Sequence, residues 1–337
     1  FQISDYPMQK WISALAVMPN INSPGMLRCN LGPHPPLHEQ LVHTAVQPCT
    51  NKHRAFDEKQ TMNMPSQPKI DCHVHVFDPV RFPYPADNFY QPTGHEIGTA
   101  AQLGHVMDAH GVRHALLVGP NSGYGFDNRC LLDAVAHGAG RFKGVAVVPL
   151  DTSLATLQEL QAAGVVGVTM NVALLGVDYH RAAGPLLERL RQLGMWAQVQ
   201  VQHDELVELK PLLVDSGAQL LFDHCGRPNP QAGVGQAGFQ AMLSLAETGR
   251  AVVKISGLVK ASSLPFPHTD AWPFVQALVD AYTPEALVWA SDWPFLRAPA
   301  RTDYGPLLDV FCKLVPDLAA QRAVLWDTPR RLFGFTE

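Results

Sequence analysis

The sequence predicts an α/β protein: a (β/α)8 TIM barrel with extra C-terminal helices. Three observations carry this. Eight apolar runs of strand length recur between residues 70 and 293. Stretches with helical spacing lie between them. No glycine-rich phosphate loop follows the first run, as it usually does in the rival architecture, an open doubly wound sheet.

The first strand is IDCHVHVF (70–77), and the second is HALLVG (114–119). TAAQLGHVMDAHG (99–111) reads as the helix between them. KGVAVVP (143–149) and VVGVTMNV (165–172) form the next two strands, with LATLQELQAAG (154–164) as their connecting helix. AAGPLLERLRQLG (182–194) leads into WAQVQV (196–201), followed by QLLFDH (219–224), VVKISGL (252–258) and LVWASDW (287–293). Residues from Tyr304 to Phe335 supply the last barrel helix and one or two short helices beyond it.

The barrel domain is set at residues 68–337. Residues 1–67 are rich in proline and show no sustained period. They are expected to be a disordered extension, or a segment upstream of a start at Met62 or Met64. The run WISALAVM (11–18) has one basic residue before it and Pro19 directly after it, a poor match to an export signal.

Of the 337 residues, 47% are apolar, enough for a large core, and 16% are charged, with a formal net charge of −5. A nucleic-acid partner calls for a basic patch, and the sequence has no basic run. It also lacks the tract of about 18 apolar residues that a membrane span needs. The six cysteines (30, 49, 72, 130, 225, 312) form no CxxC pair, so reduced thiols and a cytoplasmic location are expected. The oligomeric state is left open.

In a parallel barrel the chemistry sits where strands end and βα-loops begin. The unusual polar residues fall at those ends: His73 and His75 on the first strand, Asn121 and Ser122 after the second, Asn171 on the fourth. Asp223 and His224 end the sixth, Lys254 and Ser256 lie in the seventh, and Ser291 and Asp292 end the eighth. Side chains two apart on a strand share a face, so His73 and His75 point together. With His224 and Asp292 they converge on one point above the barrel axis. Such a set does one of two jobs. It holds a divalent cation such as zinc, or the imidazoles polarise a carbonyl while Asp292 takes a proton from water.

IDCHVHVFDP (70–79), FDNR (126–129), DHCGRPNP (223–230), KISGLVK (254–260) and WASDWPF (289–295) together resemble the amidohydrolase superfamily. Within it they are most similar to the lactonase group that includes 2-pyrone-4,6-dicarboxylate hydrolase. The resemblance runs in order from about Ile70 to Phe335. It implies a hydrolase acting on a carboxylic ester bond, in the catabolism of aromatic compounds. Superfamily metal sites use the first-strand HxH, histidines ending the fifth and sixth strands, and the eighth-strand aspartate. Here Gln200 stands where the fifth-strand histidine is expected, and Asn171 replaces a bridging residue on the fourth. No metal is therefore favoured. A single Zn2+ held by His73, His75, His224 and Asp292 is the alternative, as in a zinc-dependent decarboxylase or hydrolase of the same superfamily.

The expected reaction is ring opening of a small anionic lactone. His73, His75 and His224 polarise the carbonyl and Asp292 is the general base. Arg227, Arg129 and Lys260 are candidates for the substrate's carboxylates. Asn121, Ser122 and Asn128 are candidate hydrogen-bond donors, and Tyr90 a cover from the long loop after the first strand.

Overall fold

The computed structural model describes residues 67–336, so the expectations for residues 1–66 lie outside the described residues. The sheet has eight parallel strands paired in sequence order: β1 (Lys69–Val74), β2 (Val112–Val118), β3 (Phe142–Val147), β4 (Val165–Asn171), β5 (Trp196–Gln200), β6 (Gln219–Phe222), β7 (Ala251–Ile255) and β8 (Leu287–Trp289). One principal helix follows each strand: α1 (Ala100–Ala109), α2 (Arg129–His137), α3 (Leu154–Ala162), α4 (Gly184–Leu193), α5 (Glu205–Asp215), α6 (Ala237–Ser244), α7 (Trp272–Ala281) and α8 (Tyr304–Leu314). Two short helices, α9 (Leu318–Arg322) and α10 (Thr328–Phe333), complete the chain, as expected for a (β/α)8 barrel with a C-terminal extension.

Local chemistry sets the helix ends. Thr99 and Gln102 form a reciprocal capping box at the start of α1, and the Ser153 side chain caps α3. Gly194 closes α4 in a left-handed conformation.

The barrel interior is layered. Ile70, Cys72, Leu116, Trp196, Leu221, Val252, Val288 and Ala290 form one buried cluster, reached from the last helices by Trp326, Phe333 and Phe335. A larger apolar shell joins the outward faces of the strands to the helices. Strand alternation then carries the inward faces of β5, β6 and β7 from Trp196, Leu221 and Val252 to Gln198, Asp223 and Lys254. The latter three are fully buried. A register irregularity between Asp71 and Val74 on β1 lets His73 face this interior although Cys72 does so too.

At the seam between β8 and β1 one side chain joins several groups. Asp71 Oδ1 accepts from the backbone N–H of His73 (3.2 Å) and of Ser291 (3.0 Å), and Oδ2 accepts from the Tyr304 hydroxyl (2.7 Å). Two backbone hydrogen bonds lie beside it, Asp292 N–H to His73 O (2.9 Å) and His75 N–H to Trp293 O (2.8 Å). The sequence runs for β1, β6, β7 and β8 extend past the observed strands, and the extra residues include His75, Asp223, His224, Ser256, Ser291 and Asp292. His75, His224 and Asp292 thus lie beyond the ladder, the last two with positive φ (52° and 65°).

Candidate active site

The four residues expected to converge do so. Asp292 Oδ1 lies 3.5 Å from His75 Nε2 and 3.7 Å from both His73 Nε2 and His224 Nε2. All four side chains are buried. Asp292 Oδ1 has no hydrogen-bond partner among the described residues, so a buried acceptor faces three ring nitrogens. On the other side of the carboxyl, Lys260 Nζ lies 2.5 Å from Oδ2. Burial pushes the Asp292 carboxyl up, and the Lys260 charge leads the interactions that outweigh it, holding the acid well below its usual range. The group is an anion, as a general base must be.

Each imidazole is oriented from behind through Nδ1. His75 Nδ1 donates to Val118 O (2.8 Å), and His224 Nδ1 contacts Ser256 Oγ (3.0 Å). His73 Nδ1 meets Asp223 Oδ1 (3.2 Å) and Lys254 Nζ (3.1 Å). Burial, then the Lys254 charge, lowers the His73 ring to about 4. Burial likewise takes His224 well below the ordinary imidazole value. Both rings are neutral near pH 7.

The His224 position depends on Gly257, which adopts a φ of +64°. A Cβ there would sit 2.6 Å from His224 Cβ and 2.8 Å from its Nδ1. Gly98 gives similar clearance to the Trp293 ring, which a Cβ would meet at 2.2 Å.

The remaining candidates divide. Arg227 follows the His224 turn with φ +45°. Its Nε is buried without a hydrogen-bond partner, and its charge is felt by Asp292. Lys260 touches Asp292 directly. Asn121 Oδ1 accepts from Asn171 Nδ2 (3.1 Å), joining the loops after β2 and β4, and Ser122 sits beside it in the same turn. Tyr90 is already engaged, its hydroxyl donating to Glu96, which also accepts the Arg297 N–H (2.7 Å). Asn128 spends its amide on the backbone of Val147 and Phe126, clipping two loops together. Arg129 is exposed and forked onto Asp127, because its place at the start of α2 turns it outward.

Sequence reading missed Gln198, which bonds Lys254 and Asp223, and Arg297, whose guanidinium lies 5.4 Å from the Tyr90 ring centroid. Gln198 had a signal, as a polar residue on the inward face of a strand. Arg297 sits in a loop whose path no periodicity reveals. Lys254, ambiguous in sequence, is the buried partner of Asp223 (3.0 Å).

Imidazoles and a carboxylate gathered beyond the strand ends of a (β/α)8 barrel stand where enzymes of this fold carry their active sites. The family model described as amidohydrolase matches residues 70–335. The chain belongs to that family. It is 30% identical to a 4-sulfomuconolactone hydrolase of Rhizobium radiobacter over 276 residues, 78% of this chain and 89% of the relative. It is 28% identical to a 2-pyrone-4,6-dicarboxylate hydrolase of Comamonas testosteroni over 278 residues, covering 78% and 89%. A crystal structure from Acinetobacter baumannii, described as a probable 2-pyrone-4,6-dicarboxylic acid hydrolase with citric acid bound, superposes with a TM-score of 0.73 at 28% identity. That match covers 79% of this chain and 99% of the other. Among the described residues no helix is long and apolar enough to cross a membrane.

Proposed function

We propose that the protein opens the lactone ring of a small, anionic substrate derived from an aromatic ring. The observation that carries this reading is the unpartnered Asp292 Oδ1 facing three Nε2 atoms at 3.5–3.7 Å. A water and a carbonyl oxygen seated above these atoms would be within reach of both the carboxylate and the rings. Asp292 takes the proton as water attacks, and the ring nitrogens face the oxygen on which negative charge develops. One well-placed donor of this kind is commonly worth about 3 kcal/mol. After collapse of the tetrahedral intermediate, the proton held by Asp292 goes to the departing ring oxygen, giving a hydroxy acid. Arg227, with its free buried Nε, is the best placed group for a substrate carboxylate. Lys260 adds positive charge on the same side. The unpaired thiols of Cys72, Cys130, Cys225 and Cys312 support a cytoplasmic location.

The donor set also fits a divalent cation. His73, His75, His224 and Asp292 would hold it, and it would supply Lewis-acid polarisation of the carbonyl. The metal-free reading is favoured for two reasons. Gln200 occupies the end of β5 opposite Asn171, and the Lys260 ammonium already neutralises Asp292. The test is a panel of carboxylated and sulfonated lactones, assayed with and without chelator alongside metal analysis. Turnover that survives the chelator supports the metal-free hydrolase. Turnover restored only by added zinc supports the cation, and no turnover of any lactone overturns the proposal.

A further inference from the structure

Below the reactive groups lies a layer of polar side chains that the proposed chemistry does not touch. Gln198, Asp223 and Lys254 are fully buried. The Lys254 ammonium has three N–H bonds and three acceptors within reach: Gln198 Oε1 at 2.6 Å, Asp223 Oδ1 at 3.0 Å and His73 Nδ1 at 3.1 Å. Gln198 Nε2 donates to Asp223 Oδ2 at 3.0 Å, which fixes the amide with its oxygen towards lysine.

We propose that Lys254, braced by Asp223 and Gln198, donates to His73 Nδ1 and so keeps the proton of the neutral His73 ring on Nε2. His73 then offers the substrate an N–H, not a lone pair. This rests on the lactone-hydrolase reading for its purpose, though not for its geometry.

The argument is a count of donors and acceptors. With Nδ1 as acceptor, every N–H of Lys254 and both oxygens of Asp223 are engaged. The other tautomer would turn Nδ1–H towards Asp223 Oδ1 at 3.2 Å. It would also set that N–H against the Lys254 ammonium, whose nitrogen is 3.1 Å away, and leave the third lysine N–H without an acceptor. Lys254 has no solvent exposure, so water cannot relieve the mismatch. His75 has the opposite arrangement. Its Nδ1 meets a carbonyl, which can only accept, so its proton sits on Nδ1 and its Nε2 carries the lone pair. The two rings of the HxH pair are thus a donor and an acceptor. Of the two, His73 is the ring suited to the developing oxyanion. A cation taking His73 as a ligand would first have to displace its Nε2 proton.

Lys254 is accordingly a positioning residue, and the test reads the ring it positions. The full chain, labelled with 15N in histidine only, gives long-range 1H–15N correlations that distinguish a protonated ring nitrogen from a bare one. His73 is identified by the signals that vanish in H73Q. The expected wild-type pattern is a bare Nδ1 and a protonated Nε2. A protonated Nδ1, or exchange between the two, overturns the proposal. In Lys254→Met the proton should move to Nδ1, facing Asp223. The kcat should then fall about 10- to 100-fold with KM within about threefold of wild type, since a transition-state donor is lost and binding groups are not. An unmoved proton in that variant also overturns it. Should the variant not fold, the wild-type spectrum decides alone. A wild-type protein inert towards every lactone removes the proposed function and leaves the spectrum to judge the tautomer.

Discussion

Replacing Asp292 with Asn separates the two roles that one carboxyl plays. The amide keeps the volume of a side chain that is 4% exposed, so packing against the three rings is preserved. Basicity is lost. Asp223, the other carboxylate beside the rings among the described residues, is already engaged. It is tied to Lys254 and Gln198 beneath the rings, where burial pushes its carboxyl up and the Lys254 charge leads the interactions that reverse that. A loss of at least about 100-fold in kcat is expected, a rise of about 2.7 kcal/mol in the barrier. KM should stay within about threefold, because Arg227 is untouched. The stability cost should fall short of the roughly 3–5 kcal/mol seen when a fully buried pair loses one partner. The Lys260 side chain is 20% exposed and can turn to water. Initial rates on the best lactone, with a thermal melt to confirm folding, measure all three. A folded Asp292→Asn enzyme with kcat within threefold of wild type would refute the base assignment.

Three further outcomes are expected. Lys260→Met removes the leading cation that holds Asp292 down, so the acid limb of the kcat/KM profile should move to higher pH; an unmoved limb would show that the ion pair does not tune the base. Gly257→Ala places a Cβ 2.6 Å from His224 and strains a φ of +64°. It should lower kcat about tenfold or more and lower the melting temperature, whereas a wild-type enzyme would mean the loop gives way freely. Stability should also depend on pH, because His73, lowered to about 4, and His224, lower still than usual, are neutral when folded. An unfolded histidine titrates near about 6.5, so between those values the unfolded chain binds more protons. The contribution is therefore intact above about pH 6.5 and declines as pH falls towards 4. Urea midpoints at several pH values read this directly, and a flat profile would contradict neutral burial.

The barrel was legible because each βα unit writes its own period into the chain, and apolar runs such as HALLVG and KGVAVVP are hard to place elsewhere. Strand ends were less so. Runs such as IDCHVHVF look continuous, while the backbone leaves the ladder after Val74. The converging His73, His75, His224 and Asp292 were legible because polar residues at strand ends have few other reasons to be there. Arg129 and Asn128 were not, since what a loop side chain meets depends on the path of the next loop: Asp127 claims one and the Val147 backbone the other. The ionic layer was half visible. Lys254 and Asp223 stood out as polar, but their pairing required knowing that β5, β6 and β7 are neighbours in a closed cylinder.

The Asp71 brace has a consequence for how this enzyme comes to be active. His73 and His75 belong to the first strand segment and Asp292 to the last, and the Asp71 carboxylate together with two backbone hydrogen bonds fastens one to the other. A nascent chain cannot therefore own a working site before its final turn has been zipped to its first. Catalytic competence arrives as the cylinder shuts, and a partly wound intermediate holds its histidines without their base.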